Sequence, residues 1–100
     1  MDELMSRIDI LACEELDRAN GLWPNFHSPH EAYGVLKEEV EEAKFDMDCV
    51  VSYLDNVWKS IKLNSMSGEE LEALRNYAIM CAAECVQVVA MCQKACAHLG

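Results

Sequence analysis

The chain is poor in residues that interrupt helices. Its 100 residues include four glycines and two prolines, and neither type occurs between Val35 and Ser67. That stretch therefore carries no strong turn signal. Cations are scarce too: eight Lys and Arg stand against eighteen Asp and Glu, a formal charge of −10. Such a surface repels nucleic acid and anionic membranes, so direct binding to either is not expected. No uninterrupted apolar run approaches the roughly 20 residues of a membrane span. The acidic, amphipathic start MDELMSRIDIL does not read as a signal peptide, and a cytoplasmic location is expected. There is no CxxC pair of the kind zinc knuckles use.

Apolar residues are plentiful. At 52% they exceed what one small helical domain can bury, and a second subunit is the natural outlet. Residues 1–100 read as a single domain. Cys81, Cys85, Cys92 and Cys96 are spaced 4, 7 and 4 apart along one helix face. A disulfide framework suits loop-rich secreted chains, so these thiols read as small buried hydrophobes in a reducing cytosol.

The expected fold is all-α, an antiparallel bundle of three to four helices completed by oligomerisation. Leu4, Ile8, Leu11, Ala12, Leu16 and Ala19 predict a helix over 2–19, with Asn20-Gly21 as its stop. A loop, LWPNFH, follows. Ser28 as N-cap, Pro29 as first helical residue and Glu31 as the return partner form a capping box. The apolar series Tyr33, Leu36, Val40, Ala43, Met47, Val50, Leu54, Val57, Ile61 predicts one long helix with a bundle seam. A break at 45–48, with Asp46 or Asp48 as a new cap, is the alternative. Gly34 in that helix marks either a close approach or nothing in particular. Residues 64–68 read as a turn, Ser67 with Glu70 as a second capping box, and Gly68 to about His98 as the last helix.

Chemistry concentrates on Glu38, Glu39, Glu41 and Glu42. Pairs at i,i+3 and i,i+4 share a face, and like charges there destabilise a helix by a few tenths of a kcal/mol. A divalent cation between them would reverse that. Taken alone, an acidic run reads first as a solvated helix face. Lys37 reaches Glu41 at i+4, which makes Glu41 the outward, structural member; Lys44 has Asp48 or the flank of Val40 nearby and is not counted as an ion pair. Glu84 points the other way. It lies in CAAECVQVVAMC, where an ionised carboxylate is costly unless paired or metal-bound. Gln87 lies one turn on. Glu42 precedes a turn at Ser65 by 23 residues and Glu84 follows it by 19. At about 1.5 Å per residue their heights in a hairpin differ by roughly 6 Å, which puts the two segments face to face.

These two segments, HSPHEAYGVLKEEVEEA and AAECVQVVAMCQKA, resemble the EExxE and ExxD motifs of the all-α nucleoside triphosphate pyrophosphohydrolases, in particular the small MazG-like proteins of phages and prophages. The likeness covers about residues 26–97. It implies cleavage of a (deoxy)nucleoside triphosphate to monophosphate and pyrophosphate in a homo-dimer or homo-tetramer, with magnesium, or manganese, as cofactor. By position it makes Glu38 or Glu39 the general base and Glu39, Glu42, Glu84 and Gln87 the metal ligands. Gln87 departs from the family pattern, which has aspartate there. Trp23, His27, His30, Trp58 and Lys59 are the substrate-binding candidates; Phe26 and Tyr77 could stack on a base, and Lys62 and Arg75 could meet phosphate. The competing expectations are a catalytically degenerate nucleotide- or metal-binding relative and a structural helical oligomerisation module.

Overall fold

The computed structural model describes residues 2–22, 25–65 and 68–99. These form three α-helices, α1 (Glu3–Leu22), α2 (Pro29–Lys62) and α3 (Gly68–Leu99), with no strand among the described residues. α1 opens on Asp2, whose carboxylate accepts from the Met5 N–H at 2.9 Å. The expected stop at Asn20-Gly21 is not used: α1 continues to Leu22. Gly21 does not adopt a positive φ, so it does not form the left-handed cap that ends many helices.

The start of α2 follows the sequence closely. The Ser28 hydroxyl accepts from the Glu31 N–H at 3.1 Å. The Glu31 carboxylate reaches one residue further back than a standard box, accepting from the His27 N–H at 3.4 Å. α2 then runs unbroken for 34 residues, so Asp46 and Asp48 are not caps. It ends at Leu63 and Asn64, the latter at φ 51°, a left-handed conformation that asparagine tolerates. Open space surrounds Gly34, so no close approach explains it. The Ser67 cap lies outside the described residues. Glu70, its expected partner, accepts from the Ser60 hydroxyl at 2.6 Å.

α3 packs against both other helices. Ser60 meets Glu70, Tyr53 stacks on Tyr77 at 5.5 Å, and the Cys81 thiol donates to the Ala43 carbonyl at 3.4 Å. Further along the same contact Glu42 comes level with Glu84. α1 is tied to α3 by Gln87 donating to Glu15 at 2.6 Å and Gln93 to Asp9 at 3.2 Å. The core sits where all three helices meet, around Ala12, Phe26, Ala32, Ala90 and Met91.

Three sequence expectations need correction. The α2 seam splits into two rows seven residues apart. Leu36, Ala43, Val50 and Val57 turn inward, while Tyr33, Val40, Met47, Leu54 and Ile61 are exposed. A 3-4 spacing on a nearly straight helix spans more surface than one neighbour covers. The cysteine stripe is also mostly outward: Cys81 is buried, but Cys85, Cys92 and Cys96 are exposed and all six thiols are free. Finally, Gly68–Ala97 of α3 has the length and composition of a membrane span, because an averaged window absorbs isolated polar residues such as Glu84. Core helices of soluble proteins meet the same criterion, and 22% of the apolar window is buried.

Candidate metal centre

Glu39 and Glu42 lie at i and i+3 on α2, and Glu84 lies opposite on α3. One carboxylate oxygen from each falls within 4.8 Å of the other two. Glu39 and Glu84 are half-buried and Glu42 is exposed. Three negative charges this close need either a shared proton or a cation. All three carboxyls are accordingly held above the usual carboxylate range. For Glu39 the chief cause is burial, reinforced by the charges of Glu42 and Glu38, while contact with Glu84 opposes it. For Glu42 it is contact with Glu84 and the charge of Glu84, with burial, Glu38 and Asp46 adding to it. For Glu84 it is burial, with contact from Glu39 and the charges of Glu39 and Asp46 in the same direction and contact with Glu42 opposing.

Two cavities flank the cluster. One, of about 350 Å³, is lined by Glu38, Glu41, Glu42, Phe45, Asp46, Met80 and Glu84. The other, of about 640 Å³, is more apolar and has Glu39 and Gln87 on one wall and Phe26, His27, Met91, Arg18 and Lys94 among the others. Lys94 is 3% exposed, with its ammonium 4.6 Å over the Phe26 ring, a cation–π arrangement.

Glu38, Glu39, Glu42 and Glu84 thus come together. Glu41 turns outward and pairs with Lys37 at 2.7 Å. Lys44 does form an ion pair, with Asp48 at 3.2 Å, because the i,i+4 distance suits it as well as it suits Lys37. Gln87 lies on the wall of the larger cavity, but its amide nitrogen is committed to Glu15. That bond and the Arg18 guanidinium, 3.0 Å away, hold the Glu15 carboxyl below its ordinary range. His27 and Phe26 line the larger cavity; His30 is exposed in the first turn of α2. Trp23 lies outside the described residues. Trp58 and Lys59 are not brought to the centre. At 1.5 Å per residue they sit roughly 25 Å along α2 from Glu42, Trp58 under Lys62 and Lys59 paired with Asp55 at 3.0 Å. Tyr77 is occupied by Tyr53, and the Arg75 guanidinium donates to Asn76.

Sequence reasoning passed over Asp46, Lys94, Arg18 and Glu15. A signal existed for two of them: Asp46 is i+4 from Glu42, and Lys94 is i+7 from Gln87, so each shares a helix face with a residue already singled out. Comparison with protein-family models, curated proteins and solved structures returns no match.

Proposed function

We propose that this chain is a MazG-like nucleoside triphosphate pyrophosphohydrolase that uses a divalent cation, magnesium or manganese, and acts on nucleotide pools in the cytoplasm. One observation carries this: Glu39, Glu42 and Glu84 converge from two helices to within 4.8 Å beside a cavity of about 640 Å³ that contains Lys94 and Arg18. The donor set fits a hard cation. Magnesium takes oxygen ligands at about 2.0–2.1 Å, which sets neighbouring oxygens roughly 3 Å apart, within reach of small rotamer changes here. When bound, such an ion supplies charge neutralisation at phosphate and a more acidic water for attack.

The chain's own residues would do the rest. Glu39, Glu42 and Glu84 hold the ion. Glu38, on the rim of the smaller cavity, or Glu39 accepts the proton of the attacking water. Lys94 and Arg18 meet the phosphates, and Phe26 and Met91 wall the more apolar part of the larger cavity where a base would lie.

The bundle is proposed to be antiparallel and completed by further copies. The register of Ser60, Tyr53 and Ala43 against Glu70, Tyr77 and Cys81 supports the first point. Dimensions support the second. The radius of gyration is 17.2 Å, against about 13 Å for a compact domain of this length. The accessible surface is 7112 Å², against roughly 5,700 Å² for a compact monomer of this mass. The exposed row Val40, Met47, Leu54 and Ile61, flanked by Val51 and Trp58, offers a coiled-coil-like surface for a second copy.

A second reading, a degenerate relative that binds nucleotide and metal without turnover, is favoured by Gln87, whose amide serves Glu15 rather than the cluster. Pyrophosphate release from a panel of ribo- and deoxynucleoside triphosphates, with magnesium or manganese, decides between them. Release from at least one substrate is expected; none from any substrate would sink the enzymatic reading.

A further inference from the structure

The Gln87 side chain has two polar ends, and the direction of its amide is fixed by chemistry as well as by distance. Its nitrogen donates to Glu15 at 2.6 Å. Arg18 donates to the same Glu15 oxygen through two nitrogens, at 3.2 and 3.0 Å, so Glu15 is itself held in place. Contact with Gln87, and then with Arg18, keeps the Glu15 carboxyl below its ordinary range. Near neutral pH it is therefore ionised, and an ionised carboxylate only accepts hydrogen bonds. The nitrogen of the Gln87 amide must face Glu15, and the carbonyl oxygen must face away from it. That oxygen has no hydrogen-bond partner among the described residues. It is not sealed in either, because the one buried side-chain oxygen without a partner among the described residues is Asn20 Oδ1. Gln87 lies between two cavities. One, of about 220 Å³, is lined by Glu15 as well; the other, of about 640 Å³, is lined by Glu39 and Met91 and not by Glu15. An acceptor turned away from Glu15 opens on the larger one.

Along α3, Gln87 is one turn past Glu84 and one turn before Met91. It lies between the proposed cation and the apolar wall proposed for the base. In a nucleotide the group between phosphate and base is the sugar. Ionised phosphates offer a carbonyl oxygen no donor, whereas a sugar hydroxyl does. We infer that Gln87 accepts a hydrogen bond from the sugar 3′-hydroxyl of a bound nucleoside triphosphate, and that Glu15 is the residue that positions it. The inference rests on the proposed nucleotide site and assigns its sugar contact. It also accounts for the neutral side chain at this position. A neighbouring carboxylate can steer an amide, but it would repel a second carboxylate placed at the same distance.

The test is titration calorimetry on the full chain with magnesium. The probes are α,β-methylene deoxynucleoside triphosphates of each common base, which resist cleavage at that bridge, and their 2′,3′-dideoxy counterparts. The unaltered chain is expected to bind at least one deoxy analogue roughly three- to tenfold more tightly than its dideoxy counterpart, the effect of about one neutral hydrogen bond. Gln87→Met removes the acceptor, and Glu15→Gln can present either end of its own amide and no longer dictates the direction. Each should weaken the deoxy analogue by roughly that factor and leave the dideoxy analogue within about twofold. If both analogues weaken equally in these variants, Glu15 and Gln87 only hold α1 against α3, and the inference falls while the nucleotide site stands. If the unaltered chain binds the two analogues alike, there is no hydroxyl contact and the inference falls. If it binds neither, the nucleotide site itself falls, and the sugar contact with it.

Discussion

Replacing Glu84 with glutamine should reverse the effect of metal on stability. Without metal, Glu84 lies within 4.8 Å of two other carboxylates. At that distance two full charges repel by about 0.9 kcal/mol under the dielectric of water. Glu84 is half-exposed, so the screened value for its interaction with Glu39 is the appropriate one. Removing the charge should therefore stabilise the metal-free chain by roughly 1 kcal/mol, or about 4–8 °C in the unfolding midpoint of a domain this size. With metal the order inverts. A cation present at one hundred times its dissociation constant stabilises the native chain by about 2.7 kcal/mol, and Glu84→Gln loses most of that gain. The assay is thermal unfolding followed by circular dichroism, at one protein concentration, in EDTA and in excess magnesium. A Glu84→Gln chain that melts below the unaltered one in EDTA, and gains as much from magnesium, would refute the assignment.

Three further outcomes are expected. In EDTA, stability should fall as pH rises through and above the ordinary carboxylate range. The raised carboxyls of Glu39, Glu42 and Glu84 make the folded state bind more protons than the unfolded one across that window, so their stabilising contribution is lost as they ionise; denaturation midpoints should show this, and a slope that Glu84→Gln leaves unchanged speaks against the cluster as its source. Glu15 acts oppositely, its lowered value giving stability that disappears as pH drops through the ordinary carboxylate range and below. Leu54→Lys, in the exposed row of α2, should reduce the mass measured by light scattering toward that of a single chain, whereas an unchanged oligomer would place the contact elsewhere. Gly34→Ala should stabilise by about 0.5–1 kcal/mol, because Gly34 is a helical position with open space where a Cβ would go; a loss in denaturant midpoint would mean that something packs there.

Sequence reasoning worked best where one residue type can do only one local job. Ser28, Pro29 and Glu31 placed the start of α2, because a hydroxyl, a missing N–H and a returning carboxylate are needed nowhere else in a helix. Glu84 stood out because an acid among apolar neighbours needs a reason. It worked less well where a signal is permissive. Asn20-Gly21 allows a helix to stop without forcing it, and α1 went on to Leu22. The α2 seam could not be divided into its two rows from spacing alone, since Leu36 and Val40 are equally apolar and only the position of α3 decides which turns inward. Asp46 was overlooked for a related reason. Read locally, it is a candidate cap; only with Glu42 and Glu84 at the same level does it become a buried acid in a row of acids. Lys94 lay within the apolar end of α3, and its cavity exists only once Phe26 folds back beneath it.

The cation site is most directly tested by anomalous diffraction from a crystal of the full chain grown with manganese. A single strong peak is predicted within about 2.5 Å of oxygens from Glu39, Glu42 and Glu84. A map with no peak there, or with manganese bound only at surface carboxylates such as Glu41 or Asp48, would contradict it.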